Sequence, residues 1–118
     1  MEHTILVVED EQGIREAIGI YMTNQGYNVI LAANGKEGLE KIETNDIHLA
    51  IVDIMMPIMD GYEAALQIRK KDKKIPILAM SANAYMQDIQ KCYKAGMNGH
   101  ISKPLYLEDL KDRIIQIL

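Results

Sequence analysis

Five short apolar runs, each followed by a stretch with helical spacing, constrain this chain more than any other feature. The runs are Thr4 to Val8 (TILVV), Asn28 to Ala32 (NVILA), HLAIVD ending on Asp53, Ile75 to Met80 (IPILAM) and the shorter GHISK. The clearest are continuously apolar and rich in β-branched residues, as strands buried on both faces are. After the first run, Ile14, Ala17, Ile18, Tyr21 and Met22 recur at i, i+3, i+4, i+7 and i+8, and Gly26 stands where that helix would stop. A weaker helix from about Lys36 to Glu43 is anchored by Leu39 and Ile42, and YEAALQIRK follows the third run. NAYMQDIQKCYKAG turns Ile89, Cys92 and Tyr93 inward and stops at Gly96. LEDLKDRIIQIL aligns Leu107, Leu110, Ile114 and Ile117 on one stripe. Buried strands alternating with amphipathic helices predict a parallel sheet covered on both faces. Five such units fit a doubly wound α/β sheet of order 2-1-3-4-5. Chemistry in such sheets sits beyond the carboxyl ends of the strands, where the order reverses, here between the first and third strands.

The 118 residues are expected to form one domain, residues 1–118, large enough to bury roughly two thirds of the unfolded chain's surface. Thirteen basic residues against seventeen acidic ones argue against a phosphate-backbone binder. The basic run RKKDKK, Arg69 to Lys74, reads as a solvated loop. Cys92 is the only cysteine, which excludes an intramolecular disulfide and suggests a small apolar residue in a reducing compartment. The opening MEHTILVV lacks the pattern of a signal peptide, and no run reaches the ~18 apolar residues of a membrane span. A cytoplasmic location is expected, without membrane contact by this domain.

Several polar residues fall at the predicted strand ends. Glu9 and Asp10 follow the first strand, Asp53 ends the third, Ser81 follows the fourth and Lys103 the fifth. Each has an ordinary structural reading. Glu9 and Asp10 could favour a helix start, Asp53 could end a strand, Ser81 could belong to the start of the fourth helix, and Lys103 could be solvated. Together they land where the topology places a site. Like charges about 4 Å apart repel by about 4 kcal/mol at an effective dielectric near 20, so three carboxylates need compensation. An all-oxygen donor set favours Mg²⁺, and Lys103 adds a further positive charge. Such a site could take a phosphoryl group, with Asp53 as nucleophile and the Ser81 hydroxyl as donor.

ILVVEDE, IVDIMMPIMDGYE, MSA and ISKP resemble the receiver domain of two-component response regulators, over the whole chain. The resemblance implies a flavodoxin-like (βα)5 three-layer sandwich and phosphoryl transfer from a phosphohistidine to Asp53. It implies Asp10 as a direct Mg²⁺ ligand, Glu9 acting through water, and the Met55 carbonyl as a further ligand. Ser81 stands at the family's Ser/Thr switch and Lys103 at its lysine. The implied partner is a histidine kinase or a histidine phosphotransfer domain, with no direct nucleic-acid binding by this domain. A face formed by the fourth helix, fifth strand and fifth helix is the implied signalling surface, and a possible homodimer contact.

The chain departs from the family pattern at two places. His100 replaces the Tyr or Phe common on the fifth strand, and is either a smaller, titratable partner to the Ser81 switch or a partly exposed strand histidine. Met55 stands two residues after Asp53, where a polar side chain would help position water, and a long-lived phosphoaspartate is therefore expected. Pro57 is expected to stiffen the following loop, and Asn83 to help hydrolysis only modestly. SANAYMQDIQKCYKAGMNGHISKP looks most like receivers of hybrid sensor histidine kinases; a free-standing or truncated DNA-binding regulator is the alternative. A haloacid-dehalogenase-type phosphatase would need a second acid at Met55. A flavodoxin-type FMN carrier would need a hydroxyl- and glycine-rich loop in place of EDEQ. A phosphorylation-independent interaction module on the same fold remains a further reading.

Overall fold

The computed structural model describes residues 3–56, 59–81, 86–102 and 106–118, without the side chains of residues 86 and 87. Five strands and five helices alternate: β1 (Thr4–Val8), α1 (Gln12–Asn24), β2 (Asn28–Ala32), α2 (Gly35–Thr44), β3 (Leu49–Asp53), α3 (Gly61–Lys71), β4 (Ile77–Ser81), α4 (Met86–Lys94), β5 (Gly99–Ser102) and α5 (Leu107–Ile117). All strand pairings are parallel, in the order β2-β1-β3-β4-β5. The expected flavodoxin-like topology is the one observed.

The period of two along each strand divides the core into two layers. Leu6, Val8, Ala50, Val52, Ile77 and Ala79 face α2, α3 and α4, meeting Ala64, Ala65, Ile68 and Cys92. Ile5, Val7, Leu49, Ile51, Leu78 and Met80 face α1 and α5, meeting Ile18, Met22, Leu110 and Ile114. Central strands with apolar residues on both faces have no solvent side, which is why their sequences show no polar alternation.

The helix stops behave as their glycines predict. Gly26 and Gly96 take φ of 96° and 93°, a left-handed conformation that costs glycine little. The chain closes behind each with a bond from residue 27 or 97 to the carbonyl of Met22 or Cys92. Three expectations need correction. Ala17 lies on the exposed side of α1, and its place in the packing goes to Gly19, which sits against Leu31. Tyr93 is exposed, because the buried side here runs through Cys92 and, in the turn just after α4, Ala95. The run 69–74 is not all loop. Arg69, Lys70 and Lys71 form the last turn of α3, and Arg69 bonds the Gly96 carbonyl at 2.9 Å, the Asp72 carbonyl at 3.2 Å and Asn98 Oδ1 at 2.8 Å.

Candidate functional site

The reversal of strand order brings the ends of β1 and β3 side by side. Val8 is level with Val52 in the register, so Glu9 leaves β1 beside Asp53, the last residue of β3. Carboxylate oxygens of Glu9, Asp10 and Asp53 all lie within 4.8 Å of one another. Glu9 and Asp53 are buried, at 0% and 1% exposure, whereas Asp10 is exposed. At that separation a pair of carboxylates repels by about 3–4 kcal/mol at an effective dielectric near 20. Local hydrogen bonds hold the arrangement. The Glu11 N–H donates to Glu9 Oε1 at 3.2 Å, and the Met55 N–H donates to Asp53 Oδ1 at 3.0 Å. Arg15, one turn into α1, donates from one guanidinium nitrogen to the carbonyls of Glu9 at 2.9 Å and Asp10 at 3.4 Å. Arg15 thus ties the acidic loop to its own helix.

The helix-start readings of Glu9, Asp10 and Ser81 find little support. α1 starts at Gln12 behind Glu11, with no side-chain cap and no acid in its first turn, so Glu9 and Asp10 lie ahead of the helix rather than in it. Ser81 is the last residue of β4, fully buried and well before α4 starts at Met86. Asp53 does end its strand, and it ends it inside the cluster.

Ser81 lines a cavity of about 530 Å³ together with Ile54, Met55, Met56, Asp60, Tyr62, Asp88 and Lys91. Gly61, between the lining residues Asp60 and Tyr62, lets α3 begin close against β3. A Cβ there would lie 2.5 Å from Ile54 Cα and 2.6 Å from the Asp53 carbonyl oxygen, so only glycine lets α3 start this close to β3. Asp60 caps the helix by accepting from the Glu63 N–H at 2.9 Å.

His100 pairs in register with Ala79, and Ser81 with Ser102. Paired residues on neighbouring strands project to the same face, so His100 and Ser81 share the α3–α4 side of the sheet, one alternation apart. His100 is half-buried, and its carbonyl accepts from Arg113 at 3.3 Å. Lys103, Pro57 and Asn83 lie outside the described residues.

Sequence reading missed the far wall of the cavity. The Tyr62 hydroxyl donates to the Asp88 carbonyl at 3.4 Å, and the Lys91 ammonium lies 4.4 Å from the centre of the Tyr62 ring. Burial, then the neighbouring Cys92 and Asp88, push the Tyr62 phenol up to about 12. Burial also pushes the Cys92 thiol up. The sequence signals available were Tyr62 directly after Asp60-Gly61, and Asp88 and Lys91 three apart on one helix. Neither shows that α3 and α4 meet here. Arg15 carried no signal beyond its place early in a helix.

The family model for the response regulator receiver domain matches residues 5–115. The probable transcriptional regulator ycf29 of Porphyra purpurea is 37% identical over 120 residues, covering 100% of this chain and 57% of its own. The chain spans about half the length of the curated relatives it matches. Chemotaxis protein CheY4 of Vibrio cholerae superposes with a TM-score of 0.97 at 28% identity, covering 100% of both chains. The receiver domain of sensor histidine kinase PA1611 from Pseudomonas aeruginosa superposes with a TM-score of 0.87 at 33% identity, covering 98% of this chain and 96% of that one. That structure holds a magnesium ion in its active-site cleft. With the sheet order, the acidic cluster at its switch point and the family match over residues 5–115 in agreement, the chain belongs to the response regulator receiver domain family of two-component signalling.

Proposed function

We propose that this domain accepts a phosphoryl group on Asp53 from a phosphohistidine of a histidine kinase or histidine phosphotransfer domain. The observation that carries the proposal is the convergence of Glu9, Asp10 and Asp53 within 4.8 Å at the carboxyl ends of β1 and β3, with Ser81 ending the neighbouring β4. The donor set is all oxygen, which fits a hard divalent cation, and the residues that would hold Mg²⁺ are Asp10, Asp53, Glu9 and the Met55 carbonyl. When bound, the ion supplies positive charge against both the carboxylates and the incoming phosphoryl oxygens. The Met55 N–H holds Asp53 Oδ1 and so fixes the rotation of the carboxylate. A carboxylate oxygen of Asp53 attacks phosphorus, the phosphorus–nitrogen bond breaks, and its electron pair stays on the imidazole, which takes up a proton. The Ser81 hydroxyl donates to the phosphoryl group, Lys103 pairs with it, and His100 follows the movement of Ser81 on the shared face.

Treating the protein with Mg²⁺ and acetyl phosphate should add one phosphoryl mass, and beryllofluoride should mimic that state. Asp53→Asn should do neither. A modification that persists in Asp53→Asn would sink the assignment and favour an interaction module indifferent to phosphorylation.

Two readings of the surrounding polypeptide have support. Likeness to the receiver of a sensor histidine kinase favours a hybrid kinase. The longer relatives named as transcriptional regulators favour a receiver joined to an output domain. Either places this domain in the cytoplasm, and among the described residues no helix is long and apolar enough to cross a membrane. Exposed Tyr93, Tyr106 and Ile115, on or beside α4 and α5, support the α4-β5-α5 face as the signalling or dimer surface.

A further inference from the structure

We propose that Met55 is a modification site: a hydroperoxide-class oxidant converts its thioether to the sulfoxide, and the new oxygen beside Asp53 shortens the life of the acyl phosphate. The inference rests on the reading of Asp53 as phosphoacceptor. Exposure singles out the residue. Met22 and Met80 are 0% exposed, Met97 3% and Met56 7%, while Met59 is half-buried against Gly35. Met55 is 60% exposed, and among the methionines whose side chains are described it alone lies open to solvent. Among the methionines whose side chains are described, oxidant in water therefore meets Met55 first.

Position gives the modification a consequence. Met55 is held beside the acceptor by its N–H bond to Asp53 Oδ1 at 3.0 Å, and it lines the cavity that Ser81 lines. In the reaction a sulfur lone pair attacks one peroxide oxygen, the oxygen–oxygen bond breaks and a sulfur–oxygen bond forms. The second oxygen leaves as water or an alcohol, carrying the peroxide's own proton. Sulfur loses two electrons and the peroxide gains them. A thioether is a weak hydrogen-bond acceptor, whereas the sulfoxide oxygen is a strong one. Next to an acyl phosphate, that oxygen can hold and orient the water that attacks phosphorus, which the unmodified side chain cannot do. Enzymatic reduction of the sulfoxide restores the thioether, so the change is reversible.

The test treats the whole chain with hydrogen peroxide and maps the added oxygen by peptide mass. Treated and untreated protein are then charged with Mg²⁺ and acetyl phosphate, the donor is removed, and loss of the phosphoryl mass is timed. Met55 should oxidise ahead of Met59 and the buried methionines. The phosphorylated lifetime should fall at least roughly threefold, well short of the ~10²-fold of a full general base, and return after methionine sulfoxide reductase treatment. In Met55→Leu, whatever its own lifetime, peroxide should change nothing. Oxidation spread evenly over the methionines, an oxidised Met55 with an unaltered lifetime, or a peroxide response surviving in Met55→Leu would each overturn the proposal. Failure of the untreated protein to take up phosphoryl at all would instead remove the phosphoacceptor reading, and this inference with it.

Discussion

At the scale of single residues, the site depends on where a few atoms cannot be. Gly61 has backbone, not a flexible side chain, 2.5–2.9 Å from where a Cβ would sit. Gly61→Ala must push α3 away from the Asp53 strand end, and should cost about 2–3 kcal/mol in denaturant unfolding with weakened phosphorylation. Tyr62 makes a prediction in pH. Its folded pKa of about 12 lies above the ordinary 10.0, so the native state holds a proton that the unfolded chain releases. The stability linked to Tyr62 is present below pH 10.0 and is lost as pH rises toward about 12. Tyr62→Phe should flatten that alkaline loss, measured by denaturant titration across the same window. Met55→Asn supplies a polar side chain beside Asp53, and should shorten the phosphoaspartate lifetime severalfold, on the order of 10-fold or less. An unchanged lifetime would remove Met55 as the cause of slow hydrolysis.

At the scale of elements, α3 is anchored by polar contacts at both its ends. Asp60 caps its start, and Arg69 near its end bonds the turn between α4 and β5 at Gly96 and Asn98. Asn98 Oδ1 also accepts from the Ile77 N–H at 2.9 Å, so the clasp continues into the start of β4. Burial lowers the Arg69 pKa, but a guanidinium stays charged at any pH of interest. Asp60→Ala should cost about 1 kcal/mol, the usual value of a lost N-cap. Arg69→Met keeps the apolar stem and removes three bonds, and should cost more, about 2 kcal/mol. Hydrogen exchange should then rise at the amides of residues 96–98 before it rises in β3.

At the scale of the whole molecule, the fold tolerates a concentration of like charge at the reversal point of its sheet. Two buried carboxylates and a third at the surface oppose folding when nothing offsets them. Asp53→Asn keeps the shape and an acceptor for the Met55 N–H while removing one charge. In metal-free buffer it should raise stability by an amount on the order of 1 kcal/mol. Mg²⁺ should reverse the ranking. At about ten times its dissociation constant it should add about 1.4 kcal/mol to the wild type, and much less to Asp53→Asn. Equal responses of the two proteins would show that the ion does not bind at this cluster.

Most of the architecture was determined by the sequence itself, because burial on both strand faces and one-sided helices leave few ways to hide the apolar surface. The runs TILVV and NVILA became β1 and β2 without a shift of register, and the glycine stops at Gly26 and Gly96 hold. The grouping of Glu9, Asp10 and Asp53 could be anticipated from the same source, since topology alone carries strand ends to the switch point. Where the reading failed, the deciding contact was between helices. Tyr93 turned outward and Ala17 was bypassed for Gly19 because the neighbouring element, not the spacing, selects which side of a stripe is covered. Arg69 looked solvated because its three acceptors lie up to 29 residues away in the chain. Only the tertiary structure decided that Tyr62, Asp88 and Lys91 wall the cavity at Ser81, and that Met55 reaches solvent while tied to Asp53. A periodic pattern specifies which face is apolar, but the meeting of two faces depends on packing that no local stretch encodes.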